Sequence, residues 1–593
     1  MHEEEILGKA YDSQLMRRLL AYLKPYKTQV ILNVFLLLLG AVVHLASPLL
    51  YKIGIDRYIE QGDLEGLTWI GLAFLGLLIV EFGMQFSETY LIQWIGQRAM
   101  YDMRLAIFSH IQRLPISFFD RNPVGRVVTR VTTDVQSLHQ MLSSGAVAIF
   151  GDVFRLTGIV IFLLVLNWKL ALITFSVLPL LFYGTFLFRK KVRDVYRMIR
   201  IRIARINTYL QENITGMSVV QIFNREQKNF ETFDKLNYDH LEAFLKTILY
   251  YALFYPAVRL ISAIAVALIL WYGGHNILSG MLTFGALVAF IQYAEMFFRP
   301  IMDLSEKYNI MQSAMASSER IFKLVDEPTE PAFAQNGHSN HRLLRGEIEF
   351  RNVWFAYKDD DYVLKDVSFK VRSGEIVAFV GATGSGKTTI LNLLFRFYDV
   401  QRGQILIDGF DINTLDPTVL RQNMGMVQQD VFIFDGTIEA NIRLGNAWIS
   451  DRQVMDAARN VNADKFIKNL PSTYKQPVKE RGKSLSAGQR QLLAFARALA
   501  FDPSILILDE ATSSVDTETE LLIQDALQRL MQDRTNLVVA HRLSTIQNAD
   551  RILVLHKGEI RESGTHQELL ALEGIYHRLH RLQYDYPDEK KVA

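Results

Sequence analysis

The stretch GATGSGKTT, residues 381–389, sets three glycines, a lysine and four hydroxyl groups side by side. Glycine at 381, 384 and 386 lets successive backbone N–H groups turn inward without Cβ collisions, which is how a chain cradles an anion. Lys387 is placed to neutralise charge on the β- and γ-phosphates of a nucleotide, and the Thr388 hydroxyl to ligate Mg²⁺. Thr383, Ser385 and Thr389 add hydroxyls to the same cradle. Further on, ILILDE (505–510) ends an apolar run in two carboxylates. Asp509 suits Mg²⁺, directly or through water, and Glu510 suits a base that orients and polarises an attacking water. Such a pair at a strand end is often mere solubilising surface. Beside a phosphate loop, the hydrolytic reading is the stronger one.

These groups need elements to hold them. IVAFV before the loop reads as a buried strand and TTILNLLFRF after it as a helix, whose N-terminal dipole would face the phosphates. GEIEFRNVWFAY reads as a further strand, and ILILD as another. The second half alternates apolar and charged residues in the manner of an α/β domain, expected over 345–585. DEPTEPAFAQNGHSNHRLL precedes it, a proline- and asparagine-rich linker at 326–344. A charged tail follows at 586–593.

The first half is different in kind. The chain has 593 residues, 50% hydrophobic and 21% charged, with mean hydropathy +0.12. The apolar excess is concentrated before residue 325, in a domain expected to be all-α. Six stretches approach the roughly 20 apolar residues that cross a bilayer: about 29–51, 68–92, 142–166, 168–188, 246–272 and 282–304. Only LNWK separates the third from the fourth, so a tight hairpin is expected there. Residues 93–141 and 189–245 read as helical extensions beyond the bilayer, with breaks at PISFFDRNPVG (115–125) and FNREQKNF (223–230). The basic run FRKKVRDVYRMIRIRIAR, 188–205, follows the fourth span. By the positive-inside rule it lies in the cytoplasm, with both termini on the same side. Residues 14–25 read as an amphipathic helix on the membrane surface, with Arg17, Arg18 and Lys24 toward headgroups. Glu81, Asp152, Arg155, Arg259 and Glu295 fall inside spans, where charge is costly and often functional; Asp152 and Arg155 also have the i, i+3 spacing of a structural pair.

Two classes are disfavoured by composition. A formal net charge of +2 gives no electrostatic footprint for nucleic acid. The absence of cysteine excludes disulfides, thiolate metal sites and cysteine nucleophiles.

With these features together, the chain resembles the ATP-binding cassette (ABC) transporters of the exporter type, six spans fused to one nucleotide-binding domain, over almost its whole length. The resemblance rests on GATGSGKTT, MVQQD, LSAGQRQ, ILILDE, SSVD and AHR, in that order. It implies that Tyr357 in WFAY stacks on adenine and that His541 in VVAHR contacts the γ-phosphate. Gln429 in MVQQD would approach Mg²⁺ and the attacking water; Gln428 leaves a one-residue ambiguity, which the spacing to VFIFDGTI resolves toward Gln429. Asp516 in SSVD would cross to an opposite site. Glu480 in KERG would meet intracellular loops, which makes 115–125 and 223–230 coupling helices. Ser486 and Gly488 open the helix GQRQLLAFARAL and would close over the γ-phosphate bound to another subunit. One chain is then half of a transporter, with ATP and Mg²⁺ as cofactors and a second half-transporter as partner.

One letter departs from the family: Ala487 stands where the first glycine of Leu-Ser-Gly-Gly-Gln belongs. An intact phosphate loop beside an off-pattern signature favours a heterodimer over a homodimer. The implied activity is ATP-driven export of a lipophilic substrate, multidrug or lipid-like, across the inner membrane of a bacterium. Aromatics such as Phe82, Phe86, Tyr293, Phe297 and Phe298 suit such a substrate. Peptide export and a nucleotide-gated channel on the same scaffold are the alternatives. The spans argue against a soluble ABC ATPase, and the fusion of spans to cassette against an importer.

Overall fold

A computed structural model describes residues 12–329, 345–509, 517–539 and 546–584. The chain divides into two compact units: Met1–Leu114 with Asn122–Pro328, and Pro115–Arg121 with Thr329–Ala593.

The first unit is helical: α1 Ser13–Ala21, α2 Lys27–Ile53 and α3 Leu64–Ile111. The short helix α4, Ile116–Arg121, belongs to the second unit. After it come α5 Val124–Thr129, α6 Val135–Gln140, α7 Val147–Phe175, α8 Leu178–Thr215, α9 Met217–Ile222, α10 Glu226–Leu278 and α11 Phe284–Val325. The 53 residues of α10 reach about 80 Å at 1.5 Å each, far more than a hydrocarbon core of about 30 Å. Among the described residues, Lys24–Ile59, Leu64–Ile111, Val124–Phe175 and Glu226–Leu278 are long and apolar enough to cross a membrane, and Phe284–Phe298 is a shorter apolar helix. Six stretches are expected from the sequence. The fourth falls short because α8 begins only at Leu178 and meets its first cation at Arg189. The expected hairpin at LNWK is a one-residue break: Asn167 leaves helical dihedrals (φ −162°, ψ 103°), and its Oδ1 accepts from Leu170 N at 3.0 Å.

Side chains in this unit correct several expectations. Arg18 does not reach toward headgroups; it makes a bidentate pair with Asp326 at 2.7 Å and lies 4.1 Å from the Phe322 ring centroid. Asp152 accepts a hydrogen bond from Lys307 on α11, so the Asp152–Arg155 helical pair does not form. Glu81 is hydrogen-bonded to His44 at 2.7 Å. Tyr293, Phe297 and Phe298 are packed in the bundle core, Tyr293 donating to Leu45 O at 2.6 Å. Those three fill the protein, whereas Phe82 and Phe86 stand exposed.

The second unit is α/β. Its main sheet runs β12-β11-β3-β10-β9-β6 and a second sheet runs β2-β1-β4-β5. The strands are β1 Ile348–Ala356, β2 Tyr362–Val371, β3 Ile376–Val380, β4 Arg402–Ile407, β5 Phe410–Asp411, β6 Met424–Val427, β7 Gly436–Thr437, β8 Pro477–Val478, β9 Ile505–Asp509, β10 Thr535–Val539, β11 Arg551–His556 and β12 Glu559–Gly564. In the main sheet β6, β9, β10, β3 and β11 are parallel, with β12 antiparallel at one edge. Buried on both faces, these strands read as unbroken apolar runs. The helices are α12 Lys387–Leu394, α13 Pro417–Gln422, α14 Ile438–Arg443, α15 Asp451–Asn460, α16 Ala463–Ile467, α17 Ala487–Ala500, α18 Thr517–Met531, α19 His566–Ala571 and α20 Ile575–Tyr584. One core holds Phe350, Phe379, Leu391 and Ile507, joining both sheets to α12. A second, around Val454, Leu492 and Phe495, joins α15 and α17 into a helical subdomain on the main sheet.

Candidate nucleotide-binding site

Four parallel strands deliver the expected residues to one edge of the main sheet. Val380 ends β3 and hands the chain to Gly381. Asp509 ends β9 and lies in register with Val539 of β10, which is in register with Phe379 of β3. On the far side, Val427 of β6 is in register with Leu508, so Gln428 and Gln429 leave the sheet beside Asp509. Carboxyl ends of parallel strands are where α/β sheets bind ligands. Gln428 and Gln429 are both exposed, so either can face that edge. Glu510, Asp516 and His541 lie outside the described residues.

The loop between β3 and α12 has little room to vary. Gly386 sits at φ +106°, and a Cβ there would come within 2.6 Å of Leu364 Cδ2. A Cβ on Gly381 would lie 2.3 Å from the Leu555 carbonyl oxygen, which is backbone and cannot swing aside. Gly384 is also left-handed, at φ +81°. Inside the turn Lys387 is buried, and its ammonium donates to the carbonyls of Gly381 (2.6 Å) and Ala382 (3.1 Å). The Ser385 Oγ is buried with no hydrogen-bond partner among the described residues. A buried hydroxyl without a partner is costly, and a phosphate oxygen in the cradle would satisfy it. Thr383 and Thr388 are exposed beside it. On this observation the residues fit a nucleotide phosphate.

Tyr357 comes from just beyond β1, yet it stands against α12. Its hydroxyl donates to Thr389 Oγ1 at 3.2 Å, and its ring meets Phe355 and Tyr398 edge-on at 4.8 and 5.0 Å. Half-exposed, it is held at its rim and open to a stacking partner. Of the residues expected from the sequence to hold Mg²⁺, Thr388 lies in the first turn of α12, Asp509 ends β9 and Gln429 follows β6, and their hydroxyl, carboxylate and amide all offer hard oxygens. No group of three or more His, Cys, Asp or Glu able to hold a metal alone occurs among the described residues.

The signature stretch is a helix start. Ser486 is the N-cap of α17 in a capping box: its Oγ accepts from Gln489 N at 3.2 Å, while Gln489 Oε1 accepts from Ser486 N at 3.0 Å. The hydroxyl proton of Ser486 remains available to an anion. Gly488 is buried in the first turn. Ala487 occupies the first helical position, exposed and with negative φ. That position does not demand glycine.

Sequence reasoning missed Tyr398, in RFYDV. Its hydroxyl is hydrogen-bonded to Asp120 of α4, and burial together with that bond pushes the phenol above its ordinary value. On α4 itself Phe118 is buried and meets Phe119 edge-on at 5.4 Å. An aromatic chain, Phe355–Tyr357–Tyr398, therefore runs from the nucleotide side to a helix that interrupts the membrane half of the sequence.

Comparison with known proteins decides the family. Residues 30–301 match the ABC transporter transmembrane region and residues 364–513 match the ABC transporter family. The chain belongs to the ABC transporters. It is 40% identical over 583 residues to "Uncharacterized ABC transporter ATP-binding protein YknV" of Bacillus subtilis (strain 168), covering 98% of this chain and 96% of that one. It is 38% identical over 570 residues to "ATP-dependent lipid A-core flippase" of Syntrophus aciditrophicus (strain SB), covering 96% and 94%. It is 40% identical over 527 residues to "Probable multidrug resistance ABC transporter ATP-binding/permease protein YheH" of Bacillus subtilis (strain 168), covering 88% and 78%. Among solved structures, "Structure of a bacterial Atm1-family ABC exporter with ATP bound" matches with TM-score 0.77 and 29% identity, covering 97% of this chain and 99% of that one. This ABC exporter half-transporter is thus an ATP-hydrolysing integral membrane protein, with membrane and nucleotide-binding domains in one chain.

Proposed function

We propose that this ABC transporter exports a lipophilic substrate, multidrug or lipid-like, by ATP-driven alternating access from a bacterial inner membrane. The observation that carries coupled transport, rather than ATPase activity alone, is the bond from Tyr398 to Asp120. It ties the nucleotide-side aromatics to a segment that lies between two apolar stretches of the chain. Names of relatives that act on multidrug or lipid substrates support the substrate class. The basic run 188–205 supports cytoplasmic termini.

In this reading Tyr357 stacks on adenine and the 381–389 loop wraps the phosphates, with Lys387 offsetting their charge. Thr388, Asp509 and Gln429 would hold Mg²⁺, which when bound neutralises the β- and γ-phosphate oxygens. The Glu510 carboxylate takes the proton of the attacking water, and His541 donates to the γ-phosphate. Ser486 and Gly488 of one chain, with Asp516, complete the site of the other. ATP then favours a closed pair, and its loss lets the pair part; the free energy enters because the two conformations bind nucleotide differently.

The pair we favour joins this chain to a different half-transporter, a reading that rests on Ala487. A homodimer is the second reading, favoured by the backbone there: an exposed helical alanine adds no strain, so two identical signatures are chemically sound. Substrate-stimulated ATPase of the chain purified alone separates them. The heterodimer reading expects turnover only after a second subunit is supplied. Full activity from this chain alone, with two equivalent sites, contradicts it.

A further inference from the structure

Away from the nucleotide site, the packed pair α8–α10 carries a groove of about 460 Å³. Its walls are Tyr196 from α8 and Phe244, Ile248, Tyr251, Tyr255 and Pro256 from α10. Beside it the two helices meet through Val195, Ile199, Ala243 and Tyr250, so the groove is a surface furrow rather than a gap in the core. The rings are open to the outside, Tyr196 at 41% exposure and Tyr255 at 56%. Pro256 has no N–H, so the carbonyl of Ala252, also in the wall, lacks its helical donor and can accept from a hydroxyl.

No cation lines the furrow itself, but its Tyr196 wall is flanked by two on α8. Arg193 and Arg200 stand three residues before and four after Tyr196, hence on the same helix face. Some cations of this run are engaged: Arg202 donates to the Asp239 carbonyl and lies 3.8 Å from Glu242, and Arg189 lies 4.0 Å from the Tyr308 ring centroid. Arg197 and Arg205, which like Arg193 and Arg200 have no partner among the described residues, do not share the three- or four-residue spacing to Tyr196. Arg193 and Arg200 carry no ion pair or hydrogen bond among the described residues. The furrow also straddles a boundary: α8 turns basic at Arg189, while α10 turns apolar from about 246. A site with an aromatic trough and two unused guanidiniums, at the edge of an apolar belt, matches an anionic amphiphile. A protein surface seated there would have to bury matching carboxylates in an interface core, where charge is scarce. The bilayer supplies phosphodiesters at that level without such a cost.

We propose that this groove binds an anionic phospholipid, one acyl chain against Ile248, Tyr251 and Tyr255 and the phosphate between Arg193 and Arg200. Seven residues apart, the two arginines are separated by about 10 Å along the axis, a gap their side chains can close around one phosphate. The lipid belongs to the leaflet on the side of the basic run, which the orientation proposed above makes the cytoplasmic one. The binding itself does not depend on what is transported.

The chain has no cysteine, so Ile248→Cys gives a unique site for a bimane label in the full-length protein in nanodiscs. Phosphatidylglycerol with brominated acyl chains should quench the label in preference to brominated phosphatidylcholine. At about fivefold per cation, two arginines give roughly a 25-fold preference. Arg193→Gln with Arg200→Gln should reduce quenching to the phosphatidylcholine level while leaving basal ATPase, measured with whatever second subunit turnover requires, unchanged, and millimolar inorganic phosphate should displace nothing. Equal quenching by both lipids in the unsubstituted background, which needs no arginine variant, would reduce the groove to ordinary annulus and overturn the proposal. Displacement by inorganic phosphate would overturn it in favour of a free-anion site. Oxidative crosslinking of Ile248→Cys to a second chain would overturn it in favour of a subunit interface.

Discussion

Two positions in the nucleotide-binding unit show how differently a glycine letter can weigh. Gly386 combines φ +106° with a 2.6 Å approach of Leu364 to any added Cβ. Gly386→Ala should therefore cost about 1–3 kcal/mol, read as a lower thermal midpoint together with weakened nucleotide binding. Ala487 is the opposite case. It lies on the first turn of α17, exposed and with helical backbone. Ala487→Gly should lower stability by no more than about 1 kcal/mol and leave ATP turnover within about twofold; a large gain in turnover would restore the view that the alanine is a defect. The loop's setting was legible because it is local in sequence, nine consecutive residues between a strand and a helix. The freedom of position 487 was not, because a motif spelling does not say which of its glycines needs a left-handed backbone.

At the scale of elements, contacts distant in sequence carry what the sequence hid. Tyr398 and Asp120 are 278 residues apart, and no pattern in either segment names the other. Tyr398→Phe removes that bond while keeping the ring against Tyr357. It should leave ATP affinity within about twofold and reduce substrate stimulation of ATPase; unchanged stimulation would mean that α4 transmits through other contacts. Lys307 with Asp152, and Arg18 with Asp326, were hidden for the same reason. By contrast the break at Asn167 was legible, because an asparagine with lysine two places on interrupts an otherwise apolar run. The end of the chain holds a pH-sensitive contact. Burial holds the His566 imidazole below its ordinary value of about 6.5, with Nδ1 2.6 Å from the Tyr576 hydroxyl and the His580 ring 5.6 Å away. The folded unit prefers neutral His566, so its contribution is full above about pH 6.5 and is lost as pH falls toward the lower folded value. The thermal midpoint should thus drop between pH 7.5 and 5.5, and by less in His566→Gln; equal drops would show that other groups set the trend.

On the scale of the whole molecule, the split between an all-α membrane half and an α/β cassette was readable from composition alone, since apolar runs and alternating patterns occupy different halves of the chain. The number of spans was less so: length and hydropathy single out four segments and a shorter fifth, because a one-residue break and an early basic run blur the third and fourth. The cassette's edge brings Gly381, Asp509 and the Gln428–Gln429 step together through strand register, at the carboxyl ends of parallel strands where α/β sheets bind ligands, in a chain whose family couples ATP hydrolysis to transport. The central claim is that this hydrolysis drives movement of a lipophilic molecule across the membrane. Reconstituted in proteoliposomes with the subunit it requires, the transporter should move a lipophilic fluorescent dye in one direction only when ATP is added on the cassette side, and Glu510→Gln should abolish both dye movement and phosphate release. Dye movement that persists in Glu510→Gln, or an ATP-gated ion current with no dye transport, would contradict the account.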